Sequence, residues 1–580
     1  MTDPLRIANC SGFYGDRLTA AREMVEGGPI DVLTGDWLAE LTMLILFKDR
    51  LKNPEGGYAK TFVRQLEQVM GSCLERGIKV VSNAGGLNPQ GCAGAIAEVA
   101  RGLGLSPRIA YVAGDDVLPR LDELRAAGHD LHHLDTGEAL GDRAVLTANA
   151  YLGCWGIVDA LDRGADIVVT GRTTDAAIVM GPAAWHHGWA RDDYDALAGA
   201  LVAGHVIECG TQATGGNYSF FQEIPDLIHP GFPIAEIAAD GSSVITKHQG
   251  QAGQVSVGTV TAQLLYEISG PRYLNPDATA RFDSIALEQV APDRVAITGV
   301  RGEAPPVTSK VCLNLAGATK GSFGFMLTGL DVEQKADLLL RGFFAALPEG
   351  RETFAETEID LIRTDHQDPE RNEVAAAHLR VTLKDPDASK FGRPLTGAIT
   401  ELALGSFPGF YGGPSSVQAY GVYWPALMPA ELLSHEVVLD GETTQVAPTI
   451  ATATEADVPD FPVASPRGGP TTRAPLGRLA GARSGDKGGN ANVGLWVRTD
   501  EEFAWLASDL TVDRLRQLMP ETDGLKVERF DFPRLRSLNF VIHGLLGEGV
   551  ASSTRMDPQA KSLGEYLRAK HVDIPTELLP

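Results

Sequence analysis

At 580 residues the chain exceeds what one hydrophobic core can hold, and at roughly 150 residues per domain it predicts three to four structural units. Hydrophobic residues at 44% and charged residues at 22% are ordinary for globular proteins and exclude a disordered chain. Fifty basic against 75 acidic side chains leave a net charge of −25, which repels phosphate backbones and anionic membranes and argues against a nucleic-acid or membrane partner.

The longest apolar stretch, Leu41–Phe47, is far short of the ~18–20 residues of a membrane span, and no secretory leader is recognisable, so a cytoplasmic protein is expected. In chain order, short apolar runs then alternate with amphipathic stretches over the first 220 residues. Strands are predicted at Leu5–Asn9, Ile30–Thr34, Lys79–Ser82, Arg108–Val112, Ala144–Ala148 and Asp166–Thr170. Helices are predicted at Ala59–Arg76, Pro89–Gly102, Gly156–Gly164 and Asp175–Gly188. Right-handed crossovers set such strands parallel, so residues 1–225 are expected to form a Rossmann-like, doubly wound α/β domain.

From Phe232 onward, Ser243–Lys247, Gln254–Tyr266, Asp283–Glu288 and Arg294–Gly299 favour strands joined by Gly, Pro and Asp turns. Ser322–Thr328, Val332–Ala346 and Glu358–Thr364 read as strand, helix and strand. Residues 226–440 are therefore expected to be an α+β domain, separate from the first or continuous with it. The Thr-, Ala- and Pro-rich segment 441–475 reads as a linker. In residues 476–580, strands at Leu476–Ala480, Ala491–Val497, Lys526–Asp531 and Ser537–Gly544 accompany helices at Asp500–Met519 and Pro558–Lys570, which suits a small ferredoxin-like α+β domain.

A small or polar cluster follows each apolar run of the first domain: Asn9–Arg17, Thr34–Asp36 with Glu40 beyond, Ser82–Pro89, Gly114–Asp116, Asn149–Gly153 and Thr170–Asp175. In an open parallel sheet the carboxyl ends of the strands share one edge, where ligands bind. Glycines such as Gly85 and Gly86 let backbone approach a ligand, and helix N-terminal N–H groups favour an anion. Any one cluster is equally a tight turn with a helix cap, as Asn88 before Pro89 illustrates; six in register point to a site. Arg17 and Arg172 suit a carboxylate or phosphate, or an ion pair with Asp36 or Asp175. Glu208, beside His205 and ahead of a Gly/Thr loop, suits a general acid or base, or a cap. Cys209 has no evident base beside it and reads as buried filler, and none of the six cysteines forms a C-x-x-C pair.

Walker A, G-x-G-x-x-G, H-E-x-x-H and G-x-S-x-G motifs are absent, so no nicotinamide cofactor is inferred. Asp130–Asp135 and Asp365–Asp368 contain metal-ligand residue types without a diagnostic spacing, and read as solvated loops. Ser406–Ser416 is an aromatic and glycine loop that covers a substrate or packs on its own rings. The densest polar and glycine cluster is Gly481–Asn492. Ser484 and Lys487 match S-x-x-K formally, but an anion-holding hairpin loop charged by Arg483 and Lys487 is the better reading.

Gly15-Asp16-Arg17, Asn83–Pro89, Thr170-Gly171-Arg172 with Asp175, Glu208-Cys209-Gly210 with Thr214-Gly215-Gly216, and Ser484–Gly488 together resemble the acyclic terpene utilisation proteins of AtuA type, over nearly the whole chain. The departure is Asn9-Cys10-Ser11, where a run richer in glycine and alanine is expected. The resemblance implies catabolism of branched acyl-CoA thioesters, such as those from citronellol and geraniol. In such a route a 3-methyl-branched enoyl-CoA is carboxylated, hydrated and cleaved as a 3-hydroxyglutaryl-CoA derivative. A lyase or hydratase role is expected, with thioester hydrolysis, or non-catalytic binding and assembly beside a carboxylase, as alternatives. Asp16, Asp36, Asp175 and Glu208 would be the acid/base candidates. Arg17, Asn83, Gly85, Gly86, Asn88, Arg172, Thr173, Gln212, Thr214, Gly215, Gly216, Arg483, Ser484, Asp486 and Lys487 would bind substrate. No metal and no cofactor is expected beyond CoA as part of the substrate, and the protein is expected to form a homo-oligomer.

Overall fold

The computed structural model describes residues 3–451, 453–466 and 468–580. The chain divides into two compact units, one made of Met1–Asn314, Tyr423–Val550 and Gln559–Pro580, the other of Leu315–Val422 and Ala551–Pro558.

The first unit opens with strands β1 (Leu5–Asn9), β2 (Val32–Gly35), β3 (Lys79–Ser82), β4 (Ile109–Ala113), β5 (Val145–Ala150), β6 (Ile167–Thr170), β7 (Pro233–Ile237) and β8 (Ser243–Lys247). Helices α1 (Ala20–Gly27), α2 (Glu40–Lys52), α3 (Lys60–Arg76), α4 (Pro89–Gly102), α5 (Leu121–Ala126), α6 (Trp155–Asp162), α7 (Ala177–His187) and α8 (Tyr194–Ile207) lie between them. Five strands pair in parallel in the order β1-β2-β3-β6-β4. A dinucleotide-binding sheet runs 3-2-1-4-5-6, and the order here differs from it. Antiparallel strands flank both sides. β7, β8, Arg294–Thr298 and Ala286–Ala291 extend the row beyond β1, and His435–Leu439 and Glu442–Val446 extend it beyond β4, giving eleven strands in one mixed sheet. Glu442–Val446 belongs to the segment expected as linker. β5, expected in the row, leaves it to pair with the strand Thr308–Thr328, where the Tyr151 N–H donates to the Lys310 carbonyl at 2.9 Å.

Successive strand residues face opposite sides of the sheet, and both sides are apolar. Val81 and Val168 pack with Ile157 of α6, Val179 of α7 and Leu201 of α8. Val80, Ile167 and Val169 pack with Phe62 and Leu66 of α3 and Ile96 of α4. Each such valine buried from water stabilises the fold by ~1.5–3 kcal/mol. The parallel row is thereby clamped between helices, and its strand ends become a rigid rim.

The segment Gln254–Tyr266, expected as a strand, contains helix α9 (Val257–Leu264). Its β-branched residues mimic a strand, but Ser256 and Thr259 form a reciprocal capping box that starts a helix. Val260 and Leu264 are fully buried. In the C-terminal region Leu476–Arg478 is a single helical turn and not the expected strand. The four strands are Gly481–Lys487, Asn490–Trp496, Ser537–Ile542 and Val527–Phe532, antiparallel in that spatial order. The supposed loop 481–492 is therefore mostly sheet, with Gly488 and Gly489 as its turn. The helix expected at Asp500–Met519 is two helices, Asp500–Asp509 and Val512–Leu518.

The second unit is built on the strands Glu356–Ile362 and Ala376–Asp385, which pair antiparallel, with Ala376–Asp385 also pairing to Thr319–Thr328. Helices Val332–Ala345 and Arg393–Gly405 cover Phe325, Leu379 and Val381 through Leu339, Phe343 and Leu395. Among the described residues no helix is long and apolar enough to cross a membrane.

Gly12, in the loop after β1, lies against the turn after α8: a Cβ there would stand 2.5 Å from the Cys209 carbonyl carbon and 2.8 Å from the Gly210 nitrogen. Gly12→Ala must push backbone apart and is expected to lower stability by ~1–3 kcal/mol in urea melts. Gly94→Ala, whose Cβ meets nothing within 4 Å, is expected to be neutral or stabilising in the same measurement.

Candidate functional site

The loops that follow the strands are tied to one another by buried amides and carboxyls. Asn9, the last residue of β1, donates from Nδ2 to the carbonyls of Ile207 at 2.5 Å and Glu208 at 3.1 Å, fixing the end of α8. Asn83, after β3, accepts the Trp37 N–H at 2.9 Å and donates to Asp36 Oδ1 at 2.5 Å, fixing the residue after β2. Asp115, after β4, accepts from the Arg172 N–H at 2.9 Å and from Asn149 Nδ2 at 2.8 Å, joining the loops after β4, β5 and β6.

Two acids stand deep in this arrangement. Asp36 and Glu208 keep 6% and 7% of their surface. Burial drives both carboxyls well above the ordinary range, and repulsion from Asp175 adds to it at each. Glu208 Oε1 lies 3.3 Å from His205 Nδ1, while Glu208 Oε2 is buried without a hydrogen-bond partner. His205 Nε2 lies 3.0 Å from the Gln263 carbonyl, which only an N–H can satisfy. Burial holds His205 down to about 4, so the ring is neutral and its Nδ1 is an acceptor. An acceptor facing Glu208 suits the protonated form of that carboxyl.

Cations face the acids. Arg172, 2% exposed, donates from Nη1 to Asp175 Oδ1 at 2.7 Å and to the Leu38 carbonyl at 3.3 Å, and lies 4.2 Å over the Tyr151 ring. Lys310 stands 3.5 Å from Glu40, at the first turn of α2, and its Nζ lies 5.1 Å from the centre of the Tyr151 ring. Lys310, Arg172 and Lys487 together hold Glu40 down to about 2 against the opposing effect of burial. Glu40 and Lys310 retain 29% and 30% of their side-chain surface and Asp175 30%, so the cluster opens to water on that side.

The C-terminal domain supplies the remaining wall through Gly481–Lys487. Lys487 Nζ donates to the Glu267 carbonyl at 2.8 Å, and burial first, then Lys310, lowers its affinity for a proton. Glu267 is held in the left-handed backbone region at φ 56°, a strained position for a residue with a Cβ. Lys561 bonds Glu267 Oε1 at 2.8 Å and lies 3.3 Å from Asp486, whose carboxyl burial raises to about 7. Arg483 bonds Gln212 and lies 4.2 Å over the Tyr266 ring.

Asp36, Arg172, Asp175, Glu208, Asp486 and Lys487 thus share one electrostatic cluster, with Asn83 as the support of Asp36. Thr173 is fully buried beside Arg172, its hydroxyl without a hydrogen-bond partner. Other predicted residues serve the scaffold. Asp16 accepts the N–H groups of Gly12 at 3.0 Å and Arg17 at 2.8 Å and closes its own loop. Arg17 pairs with Glu23 at 2.6 Å and donates to the Pro230 carbonyl, rather than meeting Asp36. Asn88 caps α4 through the Gly91 N–H at 2.9 Å. Thr214 bonds the carbonyls of Thr211 and Gly231. Gly215 takes φ 108°, and a Cβ at Gly216 would stand 3.0 Å from the Thr211 carbonyl. Gly85 lets the turn after β3 press on the Thr170 carbonyl, where a Cβ would come within 2.5 Å, and Gly86 takes φ 53°. Ser484 accepts the Gly564 N–H at 2.9 Å and secures the last helix. Lys310, Glu267, Tyr273, whose ring centre lies 5.0 Å from that of His205, and Tyr423, which packs with Tyr151, escape sequence reasoning because no motif marks them.

Next to the cluster, a polar groove of about 220 Å³ is lined by Gly86–Gln90, Tyr111, Asp115, Asn149 and Glu436 among others. Among the described residues no group of three or more His, Cys, Asp or Glu side chains is arranged to hold a metal ion. Burial raises Asp115 to about 7. The unfolded chain releases that proton near pH 4, so the folded state gains stability from it below about pH 4 and loses it progressively as pH rises through 7. Asp115→Asn removes this slope, and its melting temperature relative to the unaltered protein is expected to climb between pH 5 and pH 8.

The model of the acyclic terpene utilisation family protein AtuA matches residues 5–439, and that of the AtuA ferredoxin-like domain matches residues 474–573. No curated protein and no solved structure matches the chain. With three quarters of its length covered by one family model and its C-terminal sheet by that family's companion domain, the chain belongs to the AtuA family of acyclic terpene utilisation proteins.

Proposed function

We propose that the protein is a lyase or hydratase acting on a branched acyl-CoA thioester or a related carboxylate. Family membership suggests acyclic terpene utilisation. The observation that carries the finer reading is the pairing of two buried carboxyls, Asp36 and Glu208, whose proton affinity burial raises, with the cations Arg172, Lys310 and Lys487 in one cluster. Adding or removing water beside a thioester, or cleaving a β-hydroxy thioester, needs one group to give a proton and another to take one. It also needs positive charge where the carbonyl oxygen becomes negative. Glu208, backed by the neutral His205, suits the donor. Asp175, held by Arg172, suits the acceptor. Cys209 supplies no nucleophile in this scheme, since burial and the nearby Glu208 push its thiol up.

Incubation with 3-methyl-branched 3-hydroxyacyl-CoA and 2-enoyl-CoA thioesters, followed by mass spectrometry, tests the proposal. Gain or loss of water, or cleavage into two shorter products, is expected. Free CoA with an intact acyl chain would favour hydrolysis, and no conversion of any thioester would overturn the reading. Glu208→Gln is expected to lower turnover by about 10²–10⁴-fold while the melting temperature stays within a few degrees. Because the donor must carry its proton, activity is expected to fall as pH rises through the elevated range of Glu208, above that of an ordinary carboxyl.

A further inference from the structure

We propose that Arg172, Lys310 and Tyr423 form a seat for a carboxylate group of the substrate. The inference deepens the reading of this cluster as the reacting site and rests on it. Three observations carry it. Arg172 uses Nη1 for Asp175 and Leu38, yet its Nε is buried without a hydrogen-bond partner. The Tyr423 hydroxyl is likewise buried and unpartnered, on a residue only 7% exposed. Lys310 joins them: its Nζ lies 5.1 Å from the Tyr151 ring centre and 5.5 Å from that of Tyr423, with Glu40 at 3.5 Å as its carboxylate neighbour.

These donors come from the loop after β6, from the strand Thr308–Thr328 and from the strand Tyr411–Pro429, and the Tyr151 ring gathers them. Two are orphaned buried donors, which proteins rarely leave without an acceptor. The local field already favours a carboxylate, because Glu40 is held ionised by Lys310, Arg172 and Lys487 together. A planar guanidinium edge with a lysine and a phenol matches the two oxygens and single charge of a carboxylate. A phosphate would offer similar chemistry with more charge, so it is the competing source.

Isothermal titration of the full chain with succinate and, separately, inorganic phosphate tests the seat without any turnover. Succinate is expected to bind one per chain and more tightly than phosphate. Tyr423→Phe, which removes only an oxygen that has no partner, is expected to weaken succinate about five- to tenfold. Lys310→Met is expected to weaken it by at least about tenfold. Equal succinate affinity in the unaltered protein and in Tyr423→Phe, no succinate binding, or tighter binding of phosphate would each overturn the seat. Succinate binding with these losses, in a protein that converts no thioester, would keep the seat and remove the reaction. Thioester turnover with unchanged succinate affinity in both variants would do the reverse.

Discussion

A guanidinium taken out of water has to be held by fixed partners that offset its lost hydration. At Arg172 those partners come from separate parts of the chain: the carboxylate of Asp175, the carbonyl of Leu38, the ring of Tyr151, and Asp115 on its own backbone N–H. The loops after β2, β4, β5 and β6 are therefore not free to choose their positions. They meet around this one cation, and the groups they carry are placed with them.

That constraint sorts the acids of the cluster into opposite states. Glu40 lies where three cations reach it and is held as a carboxylate, whereas Glu208 and Asp36 lie where burial and neighbouring negative charge dominate and hold their protons more tightly than an ordinary carboxyl. Chemically identical side chains acquire different roles from their surroundings, which is how acid and base functions are divided at neutral pH. His205 adds direction: with Nε2 committed to the Gln263 carbonyl, only Nδ1 is left to face Glu208.

The strands of the parallel row were legible because a strand buried on both faces is a short, continuous apolar run, as in Val80-Val81 and Ile167-Val168-Val169. The strand order was not, since it depends on where the flanking strands close the sheet. α9 was misread because Val257, Thr259 and Thr261 carry strand propensity, while the capping box that decides the matter spans only four residues. In the site, Asp36, Arg172, Asp175 and Glu208 could be found because each follows a strand or helix end on the rim. Arg17 could not be separated from them, as its partner Glu23 lies six residues on, inside α1, and the pairing is settled by packing. Lys310 and Tyr423 sit inside strands without any local signature, and only the pairing of β5 with Thr308–Thr328 delivers Lys310 to Tyr151.

The hairpin Gly481–Trp496 has a consequence for how the molecule is made. Lys487 and Asp486 complete a cluster whose other members begin at Asp36, and Lys561 follows them near the end of the chain. During synthesis the parallel sheet can fold as soon as it leaves the ribosome, but its rim then lacks a wall until the last hundred residues emerge. Nascent and prematurely ended chains would thus carry a folded scaffold with an incomplete charge cluster, which closes only once Lys561 has been translated.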